Sequence, residues 1–132
     1  MTGTEKRILI VDDDADFRES LSCFLEANHF LVTQARDGAQ ALKLAQLEHP
    51  DLILMDVMMD ERTEGLFAVQ EIRRNPELNG IPVFVISSVY SEVPEFKVSP
   101  DKGWLAHDEF LSKPVDMPLL LAKIQQRIGG AQ

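Results

Sequence analysis

Carboxylates stand at or next to the ends of two apolar segments of this sequence. Residues 8–11, ILIV, are followed by Asp12 and Asp13, and residues 52–59, LILMDVMM, carry Asp56 as their single charge. If these carboxylates shared one crevice, a pair about 4 Å apart would repel by about 4 kcal/mol at an effective dielectric of roughly 20. Such a cluster stays ionised when a cation offsets the repulsion, and a set of oxygen ligands suits Mg²⁺. The three aspartates are therefore a candidate magnesium site.

Phosphate chemistry fits beside such a metal, because Mg²⁺ commonly completes its coordination shell with phosphate oxygens. An aspartate carboxylate can attack phosphorus and form an aspartyl phosphate. Ser87 follows the apolar residues 83–86 and offers a hydroxyl donor, and Lys113 follows the short segment 109–111 and offers a cation. Together with the aspartates, these groups would serve a phosphoryl transfer, in which positioning and charge neutralisation supply most of the catalysis.

Each of these residues also has an ordinary structural interpretation. Asp13 and Asp14 could cap the helix that follows them, because a carboxylate accepts hydrogen bonds from the free N–H groups of a first helical turn. Ser87 could cap the end of a strand, and Lys113 could be a solvated surface lysine. Asp56 fits a capping role less well, because further apolar residues follow it rather than a helix.

The elements that must position these residues alternate regularly. Strands are predicted at 8–11, 30–35, 52–56, 83–86 and 109–111. The continuous apolar residues at 8–11, 52–55 and 83–86 are typical of buried parallel strands. Apolar residues at helical spacing separate them, which predicts a parallel sheet with helices on both faces and right-handed crossovers. The ligand crevice of such a sheet lies beyond the carboxyl ends of its strands. The exception is 89–108, where Pro94 and Pro100 interrupt the fourth helix that is due.

Length, charge and cysteine content limit the class of protein. A chain of 132 residues is the size of one domain, and we expect residues 1–132 to form one. The net charge of −9 argues against direct binding to nucleic acid or to an anionic membrane. Cys23 is the only cysteine, and its apolar neighbours predict a buried position. The sequence shows neither a signal peptide nor an apolar run of roughly 18 residues, so the expected location is cytoplasmic.

The sequence resembles the receiver domain of two-component response regulators. The four motif blocks of that family are matched in order by ILIVDDD at 8–14, DLILMDVMM at 51–59, IPVFVISS at 81–88 and FLSKPVD at 110–116. The resemblance implies an α/β fold with a doubly wound five-stranded parallel sheet, flavodoxin-like, with strand order 2-1-3-4-5. The fourth helix region is expected to be irregular because of Pro94 and Pro100, and the segment from Ser87 to Lys113 is a few residues longer than is usual in the family.

The resemblance also implies roles for individual residues. Asp56 would be the phosphoacceptor, and Asp12 and Asp13 would hold Mg²⁺ together with Asp56 and the backbone carbonyl of Met58. Lys113 would be the lysine that binds the phosphoryl group. The donor would be a phosphohistidine on a sensor histidine kinase or on a histidine phosphotransfer protein. The domain would be no enzyme toward other substrates, and would catalyse only its own phosphorylation and autodephosphorylation.

A conformational switch is the expected output. A phosphoryl group on Asp56 would draw the hydroxyl of Ser87 inward, and the aromatic ring of Phe110 would fill the vacated space. The face formed by the fourth helix region, the fifth strand and the fifth helix would then change shape. The output partner stays open, and so does the oligomeric state, including a homodimer.

Two other functions are compatible with parts of the sequence. A phosphatase of the haloacid-dehalogenase type carries its nucleophile in a D-x-D after the first strand, a spacing that Asp12 and Asp14 share. The short chain without a cap domain and the position of Asp56 count against it. The third hypothesis is an interaction domain that works without phosphorylation. Its partner binding would be unchanged by Asp56→Ala.

Overall fold

The structure is a computed structural model that describes residues 6–56, 64–86, 109–111 and 115–129. The strands are β1 (Arg7–Val11), β2 (Leu31–Ala35), β3 (Leu52–Met55), β4 (Val83–Ile86) and β5 (Glu109–Leu111). The helices in these ranges are α1 (Ala15–Ala27), α2 (Gly38–Glu48), α3 (Glu64–Arg74) and α4 (Met117–Ile128). Helix α4 is the one counted as fifth in the sequence, because the expected fourth helix region, 89–108, lies outside the described residues.

The strands form one parallel sheet in the order β2-β1-β3-β4-β5. This order confirms the predicted topology. Strands β1, β3 and β4 occupy the middle and are buried on both faces, which explains why their sequences are continuously apolar rather than alternating.

Successive side chains of each central strand enter two different cores, because strand residues point alternately to the two faces of a sheet. In β1, Leu9 and Val11 pack in a core with the apolar faces of α2 and α3. Ile8 and Ile10 pack on the opposite face with those of α1 and α4. Helices therefore cover both faces, as a doubly wound fold requires.

Helix α1 begins directly after the acidic run and has well-formed ends. The Asp14 carboxylate caps its start by accepting hydrogen bonds from the backbone N–H of Asp16 (3.0 Å) and of Phe17 (3.2 Å). At its end, the N–H of His29 bonds to the carbonyl of Glu26 and that of Phe30 to the carbonyl of Leu25, the two bonds of a Schellman motif. His29 takes the left-handed conformation that this motif needs, with φ 73°. The start of α1 is thereby fixed against the end of β1.

The prediction that Cys23 is a core residue was wrong, because its side chain is exposed. The core face of α1 is formed by Leu21, Ser22 and Leu25, and position 23 lies on the other side of the helix. Desolvation, followed by the negative charge of Glu19 and then of Glu26, raises the pKa of the Cys23 thiol above its ordinary value.

Candidate functional site

The sheet register places Asp12 and Asp56 side by side. Val11 of β1 pairs with Met55 of β3, and the two aspartates are the next residues of these strands. The backbone N–H of Asp56 donates to the carbonyl of Val11 at 2.9 Å, and that of Asp12 donates to the carbonyl of Ala35 at 3.1 Å. The ladder of hydrogen bonds thus continues one residue past the strands and fixes both main chains.

Three carboxylates meet at this carboxyl edge of the sheet. One oxygen from each of Asp12, Asp13 and Asp56 lies within 4.8 Å of the other two. Asp12 and Asp56 are buried, with 1% and 4% of their surface exposed, whereas Asp13 is exposed. Ionised carboxylates this close together would repel one another, and a bound cation would reduce that repulsion. Because all the donors are carboxylate oxygens, the set fits a hard divalent ion such as Mg²⁺.

The remaining acid of the run, Asp14, serves the helix instead. Its carboxylate caps α1, and its backbone N–H donates to Oδ1 of Asp12 at 2.9 Å. The capping interpretation is therefore correct for Asp14. Its hydrogen bond to Asp12 restrains one of the clustered carboxylates, and the positive end of the α1 dipole lies beside it.

A residue that sequence analysis did not single out, Arg18, reaches back from α1 to this edge. Its Nη1 donates to the main-chain carbonyl oxygen of Asp12 at 2.6 Å, and its Nε donates to Oε1 of Gln34 on β2 at 3.1 Å. The only sequence signal is a basic residue six positions after Asp12 on the following helix. This spacing does not by itself predict the contact, because the contact depends on how α1 packs on the sheet.

Several predicted site residues lie outside the part of the chain that the structure describes. These are Met58, Ser87 and Lys113, together with the side chain of Phe110. The backbone of Phe110 belongs to β5 and pairs with Val85 of β4. The roles of all four stay predictions.

The comparison with protein families decides the class of domain. The model of the response regulator receiver domain matches residues 8–125. The chain belongs to this family. The resemblance inferred from the four motif blocks is confirmed, and the domain functions as a receiver, which is a signalling module. This assignment favours the receiver over the haloacid-dehalogenase-type phosphatase.

Relatives of two kinds match the chain. Protein PilH of Pseudomonas aeruginosa is 32% identical over 127 residues, which cover 94% of this chain and 98% of PilH. Response regulator MprA of Mycolicibacterium vanbaalenii is 37% identical over 119 residues, which cover 90% of this chain and 48% of MprA. The chain thus spans nearly all of the first relative and about half the length of the second.

A solved structure with the same fold is the receiver domain of the sensor histidine kinase PA1611 from Pseudomonas aeruginosa. It matches with a TM-score of 0.81 and 25% identity, covering 96% of this chain and 99% of that one. A magnesium ion is coordinated in the active site cleft of that receiver domain. In the described part of the present chain, no helix is both long and apolar enough to cross a membrane.

Proposed function

We propose that this receiver domain accepts a phosphoryl group on Asp56. The observation that carries the proposal is the meeting of Asp12, Asp13 and Asp56 within 4.8 Å, with Asp56 buried at the end of the central strand β3. The backbone N–H of Asp56 is bonded to the carbonyl of Val11 on β1, so its main chain is held by the sheet, as that of Asp12 is by Ala35. The whole of residues 1–132 is proposed to form this one domain.

The proposed metal ligands are the carboxylates of Asp12, Asp13 and Asp56 with the backbone carbonyl of Met58. The oxygen-only donor set supports this choice, as does the magnesium ion in the similar PA1611 receiver domain. When bound, Mg²⁺ would neutralise the carboxylates and the oxygens of the incoming phosphoryl group. The bonds from Asp14 and Arg18 hold Asp12 in place for that task.

The proposed donor is a phosphohistidine on a sensor histidine kinase or a histidine phosphotransfer protein. A carboxylate oxygen of Asp56 attacks phosphorus, so that an O–P bond forms while the P–N bond breaks and leaves its electron pair on the imidazole nitrogen. Lys113 would neutralise phosphoryl oxygens in this transfer. No turnover of other substrates is proposed, and the site would otherwise only hydrolyse its own acyl phosphate.

The proposed consequence of phosphorylation is the switch inferred from the family. The hydroxyl of Ser87 would bond to the phosphoryl group, and Phe110 would move into the space that it leaves. The surface around β5 and α4 would then recognise an output partner or a second copy of the chain. Direct binding of nucleic acid is not proposed, given the net charge of −9. The proposed location is cytoplasmic.

The test is an intact-mass measurement after incubation with acetyl phosphate and Mg²⁺. The protein should gain the mass of one phosphoryl group, and Asp56→Asn should gain none. Asp14→Asn is the matched control, because asparagine also caps helices and position 14 lies outside the cluster. Equal labelling of Asp56→Asn would refute the proposal. Turnover of a phosphomonoester that is lost in Asp12→Asn but kept in Asp56→Asn would indicate the phosphatase instead.

A further inference from the structure

Arg18 connects three elements at the acidic edge of the sheet. Its side chain is half-buried and starts from the second turn of α1. Nη1 donates to the carbonyl oxygen of Asp12 after β1, and Nε donates to the amide oxygen of Gln34 on β2. The Asp12 bond, at 2.6 Å, is charge-assisted and short, and the guanidinium plane fixes the angle between the two bonds.

The bonded oxygen belongs to the peptide group between Asp12 and Asp13. Because a peptide is planar, fixing its oxygen also fixes the direction of the N–H and Cα of Asp13. On the other side of Asp12, its own N–H is held by the carbonyl of Ala35. Arg18 therefore completes the restraint of the main chain that carries two of the three clustered carboxylates. This restraint includes Asp13, whose side chain is exposed.

We propose that Arg18 is a positioning residue for divalent-cation binding at the acidic cluster. The inference rests on the proposed function, since it assumes that Asp12, Asp13 and Asp56 hold the ion. Arg18 directs its donors at main-chain and amide oxygens, and its orienting effect on Asp12 and Asp13 outweighs the repulsion between its charge and the cation. Positioning by Arg18 raises Mg²⁺ affinity and repulsion by its charge lowers it, so measuring the affinity of an Arg18 variant shows which effect is larger.

The order of Mg²⁺ affinities among the variants differs according to whether positioning of the acids or repulsion by the Arg18 charge dominates. If Arg18 positions the acids, Arg18→Ala weakens Mg²⁺ binding about tenfold, the scale found when hydrogen-bond partners of metal ligands are removed. Arg18→Lys keeps the charge but cannot bond to both oxygens in the same geometry, so it falls between Arg18→Ala and the parent. Gln34→Ala loosens the guanidinium and weakens binding by a smaller factor. If charge alone acts, Arg18→Ala binds Mg²⁺ more tightly and Arg18→Lys equals the parent.

A control variant removes the positive charge of Arg36, whose side chain pairs with Asp37. The Arg36 side chain follows β2, is mostly exposed, and lies 3.7 Å from the carboxylate of Asp37. Arg36→Ala should leave Mg²⁺ affinity within about twofold of the parent, because the solvent and salt screen an exposed charge.

The experiment is a calorimetric titration of the full chain with Mg²⁺, with amide hydrogen exchange of residues 13 and 14 measured in metal-free protein. The inference predicts about tenfold weaker binding in Arg18→Ala and faster exchange at these two amides before any metal is added. Unchanged or tighter binding in Arg18→Ala would overturn it. If Arg18→Ala does not fold, the order of Arg18→Lys and Gln34→Ala against the parent decides in the same way. Failure of the parent to bind Mg²⁺ or to be phosphorylated would instead refute the proposed function.

Discussion

Charged side chains are arranged differently where the parallel strands begin (the amino edge) and where they end (the carboxyl edge). At the amino edge, the backbone N–H of Arg7 donates to the carboxylate of Asp51 at 2.8 Å. The Arg7 guanidinium lies 3.3 Å from the Glu48 carboxylate and bonds to the hydroxyl of Thr33. Opposite charges are thus matched where strands begin.

At the carboxyl edge, like charges are gathered instead. The carboxylates of Asp12, Asp13 and Asp56 lie within 4.8 Å of one another, and two of them are buried. The nearby cation of Arg18 bonds to a main-chain oxygen of Asp12. Clustered like charges are typical of a binding site, because they cost stability wherever no opposite charge offsets them. The amino edge thus pairs opposite charges, whereas the carboxyl edge brings together the like charges of the candidate metal site.

The largest expected effect is a gain of stability at the carboxyl edge. Asp56→Asn removes one of three neighbouring charges at nearly constant shape, so in metal-free buffer it should raise the free energy of unfolding by about 2 kcal/mol. Saturating Mg²⁺ should remove this advantage, because the ion stabilises the parent and has less to bind in the variant. Urea unfolding with and without Mg²⁺ measures both. A loss of stability in the metal-free variant would contradict the contrast between the edges.

The amino edge should respond with the opposite sign. Asp51→Ala removes the acceptor for the N–H of Arg7 and should lower the free energy of unfolding by about 1 kcal/mol, whether or not Mg²⁺ is present. Glu48→Gln, which weakens a half-exposed ion pair, should cost only about 0.3 kcal/mol. The same urea series provides the measurement, and a Mg²⁺-dependent effect of Asp51→Ala would show that the two edges are not independent.

A third buried polar side chain, Ser22 on α1, lies at neither edge. Among the described residues, its hydroxyl has no hydrogen-bond partner although it is buried. Ser22→Ala should therefore stabilise the protein by about 1 kcal/mol, and it should leave Mg²⁺ affinity unchanged. Thermal unfolding and the calorimetric titration test the two halves. A change in Mg²⁺ affinity would mean that this hydroxyl belongs to the functional edge.

The smallest expected effect concerns the exposed face of α1. Since desolvation and the Glu19 carboxylate raise the pKa of Cys23, less thiolate is present at a given pH than in an unfolded chain. Alkylation by iodoacetamide at pH 8 should be slower than in the urea-unfolded protein, and Glu19→Gln should speed it. As pH rises through the raised pKa, the difference should disappear. Equal rates in Glu19→Gln and the parent would show that this carboxylate does not act on the thiol.

The strand order of the sheet and the proximity of Asp12, Asp13 and Asp56 could be predicted from the sequence. Buried parallel strands need continuous apolar runs, so 8–11 and 83–86 marked β1 and β4 closely. The ends of the runs at 8–11 and 52–55 also marked where the aspartates meet. Once parallel neighbours are assumed, Asp12 and Asp56 must be adjacent, as the register of β1 and β3 shows. Their roles in metal binding and phosphoryl transfer remain predictions.

Features that depend on side-chain direction were not predictable in this way. Cys23 has apolar neighbours along the chain, but it lies on the side of α1 that faces the solvent. Arg18 acts on Asp12 through a long side chain that crosses from α1 to the strand end, and no local pattern marks such a reach. Both cases require the helix to be docked before the environment of a single residue is known.

The most direct test of the central claim is to locate the phosphoryl group. The protein is treated with acetyl phosphate and Mg²⁺, reduced with borohydride, which converts an aspartyl phosphate to homoserine, and mapped by peptide mass spectrometry. The account predicts homoserine at position 56 and none at positions 12, 13 or 14. Homoserine at position 12, or none anywhere in a protein that binds Mg²⁺, would contradict it.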